Sequence, residues 1–121
     1  MQKARILAIE DEAGIRDIIK AALESQYDIM LAPNGEEGFH QAKIYKPQLI
    51  LLDIRMPGMD GLSVLAKLKT HEVTRGIPVI IVSVEGDTDA LLDSQRAGAT
   101  DHLIKPFQID QLREVIRRHL A

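Results

Sequence analysis

Short apolar, β-branched runs alternate with amphipathic stretches along the chain, and the pattern repeats five times. Strand-period and helix-period segments in strict alternation predict a parallel sheet covered by helices on both faces, because parallel neighbours need a long crossover. The candidate strands are Ile6 to Ile9, Tyr27 to Ala32, Leu49 to Leu52, Val79 to Val82 and His102 to Ile104. The first, third and fourth are continuously apolar, as strands buried on both faces must be, so they belong in the middle. Tyr27-Asp28-Ile29-Met30-Leu31-Ala32 carries a charge and reads as an edge.

The helices follow from spacing. Ile15, Ile18, Ile19, Ala22 and Leu23 recur at helical intervals and predict one apolar face. Asn34 followed by Glu37 reads as a capping-box variant opening a second helix through Phe39 and Ala42, which ends before Pro47. Asp60-Gly61 opens a third, with Leu62, Leu65 and Leu68 facing inward. A fourth runs from Asp87 to Ala97 and is stopped by Gly98. The last runs from about Gln108 to Leu120, with Ile109, Leu112, Val115 and Ile116 on its inner side. Arg117, Arg118 and His119 fall where the helix dipole favours positive charge. Arg113, Arg117 and Arg118 are expected to form a solvated face or docking patch, and His40, His71 and His119, which share no ligand spacing, to lie at the surface.

At 121 residues the chain suits one domain, 1–121, with a single sizeable core. Its 15 basic and 18 acidic residues leave a net charge of -3, which offers no long-range attraction to nucleic acid or anionic lipid. With four aromatic residues, Tyr27, Phe39, Tyr45 and Phe107, a base-stacking surface is excluded as well. The absence of cysteine removes disulfides, thiolate metal sites and a thiol nucleophile. No apolar run approaches the roughly 20 residues of a membrane span, and the start from Met1 lacks a secretion signal, so the cytoplasm is expected.

Function is read from the polar residues that terminate the buried runs. Ile9 is succeeded by Glu10-Asp11, Leu52 by Asp53, Val82 by Ser83 and Ile104 by Lys105. In an open parallel sheet these ends share one edge, where ligands bind at the point of strand-order reversal. Crowded carboxylates need a counter-charge, and an all-oxygen set suits a hard cation such as Mg²⁺, particularly when a phosphate shares it. Lys105 supplies a mobile point charge for a phosphoryl oxygen, and Ser83 a rotatable donor. Asp53, ending the central run, suits a nucleophile that forms an aspartyl phosphate.

These residues, with Met56-Pro57-Gly58-Met59-Asp60-Gly61 after Asp53 and Pro106-Phe107 after Lys105, make the chain resemble the receiver domain of two-component response regulators from about Lys3 to Leu120. The resemblance implies a flavodoxin-like (βα)5 sheet of strand order 2-1-3-4-5 and a cis peptide before Pro106. It implies Mg²⁺ held by Asp11, Asp53 and the Arg55 backbone carbonyl with Glu10 assisting. It further implies phosphoryl transfer to Asp53 from a histidine kinase or a histidine phosphotransfer protein, and coupling through Ser83 to the face of helix 4, strand 5 and helix 5, where a downstream protein target or fused output domain docks. Such a protein is a phosphoacceptor that assists its own phosphorylation and dephosphorylation rather than an enzyme.

The chain departs from the family pattern in places. Val84 comes after the hydroxyl residue where the family has a tiny one, and its bulk narrows the approach to Asp53. His102 stands at the position of a rotating aromatic switch, and its imidazole is smaller than that ring, so the usual inward rotation is not expected of it. Arg55 and Glu85, two residues beyond Asp53 and Ser83, are expected to pair across the mouth of the site and restrict attacking water.

Plainer roles compete with these. Asp53 alone would read as a cap, Ser83 as a cap for the following loop, Glu12 as a solvated acid, and Pro57, Gly58 and Gly61 as turn formers. An aspartyl-phosphate phosphatase would want a carboxylate where Arg55 stands. A flavin or dinucleotide site would want a glycine-rich cradle where Glu10-Asp11-Glu12-Ala13-Gly14 stands. A degenerate receiver used as a phosphorylation-independent docking module is the alternative to the switch.

Overall fold

The computed structural model describes residues 3–58 and 60–120; Met1, Gln2, Ala121 and Met59, the last within the motif after Asp53, lie outside the described residues. Strands β1 (Arg5–Ile9), β2 (Asp28–Ala32), β3 (Leu49–Asp53), β4 (Val79–Val84) and β5 (Asp101–Lys105) alternate with helices α1 (Ala13–Leu23), α2 (Gly35–Tyr45), α3 (Gly61–Thr70), α4 (Thr88–Arg96) and α5 (Ile109–His119). All neighbouring strands are parallel, in the order β2-β1-β3-β4-β5. The charged second strand is an edge and the three apolar runs are central, as hydropathy requires. Strands β3, β4 and β5 reach past their apolar runs, so Asp53 pairs in register with Val82, and Ser83 with Ile104. The polar residues are therefore held by the sheet ladder itself.

Alternation along the strands divides the core into two layers. Leu7, Ile9, Ile50, Leu52, Val79 and Ile81 face one way, against Ala42 of α2, Val64, Leu65 and Leu68 of α3 and Ala90 of α4. Ile6, Ala8, Leu49, Leu51, Ile80, Val82 and Leu103 face the other, against Ile19, Ala22 and Leu23 of α1 and Leu112, Val115 and Ile116 of α5. Two residues expected to face inward do not. Ile18 is 51% exposed because it stands about 100° round the helix from Ile19, beyond the edge of the buried stripe. Ile109 is 43% exposed because it begins α5, where side chains lean toward the helix N-terminus and past the strand ends.

Caps set the helix boundaries. Asn34 Oδ1 accepts from the Glu37 amide at 2.8 Å, Asp60 Oδ1 from Ser63 at 3.1 Å and Asp87 Oδ1 from Ala90 at 3.4 Å. Helix α2 ends at Lys46, which is left-handed at φ 50°, immediately before Pro47. Gly61 has a reason beyond turn formation. A β-carbon there would lie 2.4 Å from the Ile54 Cα, so only glycine lets α3 start against the end of β3, where its amide donates to the Ile54 carbonyl at 2.9 Å.

Arg113, Arg117 and Arg118 lie exposed on α5, as a solvated face requires, and two of them also make contacts back into the fold. Arg113 donates through Nε and Nη2 to the Ala22 carbonyl at 3.1 and 3.0 Å, tying α5 to the end of α1. Arg118 and His119 both reach Asp101 Oδ2, at 3.1 and 2.8 Å, with Arg118 still exposed, and Arg117 pairs with Glu114. His71 packs edge-on against Phe39 at 5.7 Å, while His40 is exposed. Among the described residues no helix is long and apolar enough to cross a membrane.

Candidate functional site

The C-terminal ends of β1, β3, β4 and β5 bring Glu10, Asp53, Ser83 and Lys105 together. Lys105 Nζ lies 2.9 Å from Glu10 Oε1 and 3.2 Å from Asp53 Oδ2. All three are shielded, with 14%, 2% and 5% of their respective side chains exposed. An ammonium between two buried carboxylates is the arrangement that makes their burial tolerable, since removing it leaves uncompensated charge. Backbone amides complete the cradle: Arg55 N–H donates to Asp53 Oδ1 at 3.2 Å and Glu12 N–H to Glu10 Oε2 at 3.1 Å. Arg16, which the sequence did not single out, donates to the Glu10 carbonyl at 2.7 Å and holds the turn between β1 and α1.

Burial dominates the titration of the cluster. It pushes the Glu10 carboxyl up to about 7, against the Lys105 and Glu12 hydrogen bonds, and the Asp53 charge adds to the rise. Burial likewise holds Asp53 above the ordinary Asp range, with Lys105, the Glu10 hydrogen bond and the Arg55 amide opposing. For Lys105, burial alone would lower the pKa, but the two carboxylates outweigh it and hold the amine above its usual value.

One carboxylate oxygen each from Glu10, Asp11 and Glu12 lies within 4.8 Å of the others. Glu12 is exposed, as expected of a solvated acid, yet its carboxylate belongs to this group. The donor set is all oxygen, which fits a hard cation with water completing its shell. A second observation fits a missing reactant: Asp11 Oδ1 and Ser83 Oγ are buried with no hydrogen-bond partner among the described residues. Orphaned buried polar atoms cost free energy and call for a reason, and a cation at Asp11 and an oxygen-rich group near Ser83 would supply it. Ser83 caps nothing.

The rim differs from expectation. Arg55 does not pair with Glu85. Its Nε and Nη2 reach both carboxylate oxygens of Asp87, at 2.7 and 2.9 Å, because Asp87, as the N-cap of α4, faces the loop after β3. Glu85 instead lines a groove of about 700 Å³ with His102, Ile104, Asp110, Glu114 and Arg118, away from the carboxylates. Val84 is 51% exposed at the end of β4. His102 is turned outward on β5, and the Lys105–Pro106 peptide is cis.

Residues 6–117 match the model of the response regulator receiver domain family. Sporulation initiation phosphotransferase F of Bacillus subtilis is 33% identical over 99% of this chain and 96% of its own length. Of several other curated relatives the chain spans between 25% and 52%. Vibrio cholerae chemotaxis protein CheY4 superposes with a TM-score of 0.91 at 25% identity, over 98% of this chain and 99% of that one. The receiver domain of a Pseudomonas aeruginosa sensor histidine kinase, solved with magnesium coordinated in its active-site cleft, superposes with a TM-score of 0.89 at 28% identity, covering 97% of both chains.

Proposed function

Because this chain belongs to the response regulator receiver domain family of two-component signalling, we propose that Asp53 is its phosphoacceptor and that the domain works as a phosphorylation switch. The observation that carries this reading is the convergence of Asp53, Glu10 and Lys105 within hydrogen-bond reach beside the unpartnered oxygens of Asp11 and Ser83.

Asp11, Asp53 and the Arg55 carbonyl would hold Mg²⁺, with Glu10 assisting. When bound, the ion would neutralise charge on phosphoryl oxygens. An Asp53 carboxylate oxygen bonds to phosphorus as the phosphorus–nitrogen bond of a partner's phosphohistidine breaks. The electron pair stays on the imidazole nitrogen, which takes a proton from solvent. The Arg55 amide on Asp53 Oδ1 orients the carboxylate, leaving the other oxygen, now facing Lys105, as the attacking atom. Lys105 then moves with the negative charge to a phosphoryl oxygen, and Ser83 gains the partner its hydroxyl lacks. In the reverse sense, water attacks phosphorus and the Asp53 carboxylate leaves, with Val84 at the approach.

The modified side chain carries close to two negative charges, and the pull on Ser83 moves the loop after β4. That loop runs into α4, so the face made by α4, β5 and α5 changes, with His102 and Glu85 in its groove; a downstream target or output domain would dock there. Incubating the protein with a small phosphodonor, with and without Mg²⁺, and weighing it intact tests the reading. A Mg²⁺-dependent gain of one phosphoryl group, lost in Asp53→Asn, is expected. Consumption of the donor with no adduct, or no change at all, would overturn it.

A further inference from the structure

The side chain of Arg55 joins two loops that the phosphoacceptor reading treats separately. Its backbone amide donates to Asp53 Oδ1, while its guanidinium makes a two-point contact with Asp87 at the far end of the loop that follows β4, the strand bearing Ser83. Asp87 also caps α4 through the Ala90 amide, and its own amide donates to the Val84 carbonyl at 3.2 Å. The Arg55 guanidinium holds the Asp87 carboxyl below the usual carboxylate range. Asp60, the N-cap of α3, and Asp89, in the first turn of α4, add negative charge around the same guanidinium, whose direct contact is with Asp87.

The intervening loop is restrained at both ends. The sheet holds Ser83 beside Ile104, and the Glu85 amide donates to the Lys105 carbonyl at 3.2 Å. Gly86, at φ +90°, supplies the left-handed conformation of the turn that Asp87 closes on the Val84 carbonyl. Because the Asp87 amide is bonded to the carbonyl of Val84, next to Ser83, a movement that carries Ser83 toward Asp53 pulls on Asp87, and Arg55 resists from the loop that follows Asp53.

We propose that Arg55 and Asp87 are positioning residues: their ion pair latches the loop after β4 in the arrangement of the unmodified protein and opposes a move of Ser83, at the end of that strand, toward a phosphoryl group on Asp53. This rests on the phosphoacceptor reading. The Arg55 side chain is 61% exposed and that of Asp87 14%, so the latch is weak and screened by salt. A device of this strength sets the threshold of the switch rather than its direction.

The test titrates beryllium fluoride with Mg²⁺, as a phosphoryl mimic, onto the wild-type protein, Asp87→Asn, Arg55→Gln and the double variant. Asparagine keeps an oxygen for the Ala90 amide, so the cap survives while the charge pair is lost. Amide hydrogen exchange of residues 84–90 is monitored without the mimic. Each single variant should bind the mimic roughly two- to fivefold more tightly, the range for exposed pairs, and the double variant no more tightly than the singles. Exchange across the loop should quicken, and added salt should reproduce the gain in the wild-type protein alone. Unchanged exchange and affinity in both single variants, or additive effects in the double, would overturn the latch and leave the phosphoacceptor intact. Failure of the wild-type protein to take up the mimic would overturn the phosphoacceptor reading and the latch with it.

Discussion

Lys105 stands between two acids that burial alone would leave neutral, and its removal should expose that tension. Lys105→Met is expected to cost about 3 kcal/mol at pH 8, where the carboxylates would face each other uncompensated, and much less at pH 5, where Glu10 holds a proton. Denaturant melts at the two pH values measure the difference. Ser83→Ala should behave in the opposite way. Deleting a hydroxyl buried without a partner should leave stability unchanged or raise it by up to about 1 kcal/mol, while phosphorylation no longer shifts the docking face. An equal loss of stability in both variants would mean that the cluster is structural. The chemical identity of these residues was legible from their place after each apolar run. The pairing of Arg55 was not, since Asp87 lies 32 positions away and the two meet only because α4 begins beside the loop after β3.

Among the elements, α3 depends on one atom's absence. Gly61→Ala would drive a methyl group into the Ile54 backbone at 2.4 Å, and since no flexible side chain is there to yield, α3 must shift. The expected cost is about 2 kcal/mol or more, in a thermal or denaturant melt, with slower phosphorylation because Asp53 and Ile54 move with the loop. Asn34→Ala at the start of α2 removes an ordinary cap, at a cost of about 1 kcal/mol, and should leave phosphorylation untouched. Periodicity located every helix but misjudged Ile18 and Ile109, because a count of apolar positions does not say where the buried stripe ends or how far the sheet extends beneath the helix. Arg113 was equally opaque: its partner is a carbonyl, Ala22, which every residue possesses and no side-chain pattern can announce.

For the molecule as a whole, the cluster makes stability depend on pH in a predictable sense. Glu10 binds its proton more tightly folded, at about 7, than its ordinary value of 4.5, so the folded state takes up protons across that window. In the presence of a chelator, this contribution should therefore be complete below about pH 4.5 and fall by about 3 kcal/mol as pH rises from there through 7. Asp101 acts at the other end. Burial favours its neutral form, but the His119 hydrogen bond, the His102 amide and the charges of His119 and Arg118 prevail and lower its pKa, so its contribution is lost as pH falls below about 4. Adding Mg²⁺ at pH 8 should restore part of the lost stability, and less at pH 6, where protons compete for the same carboxylates. A flat profile between pH 5 and pH 8 would remove Glu10 from the account.

The order of apolar and amphipathic segments decided the layered sheet, its central strands and the rim on which the polar residues collect, because each of these arises from local period and from the need to bury strands on both faces. Folding decided which charges touch. Lys105 divides itself between Glu10 and Asp53, Arg55 reaches Asp87 rather than Glu85, and Asp11 and Ser83 keep buried oxygens unused. Such choices depend on distances of a few ångströms between groups far apart in the chain, and electrostatic and hydrogen-bond energies fall too steeply with distance to be inferred before those groups are in place.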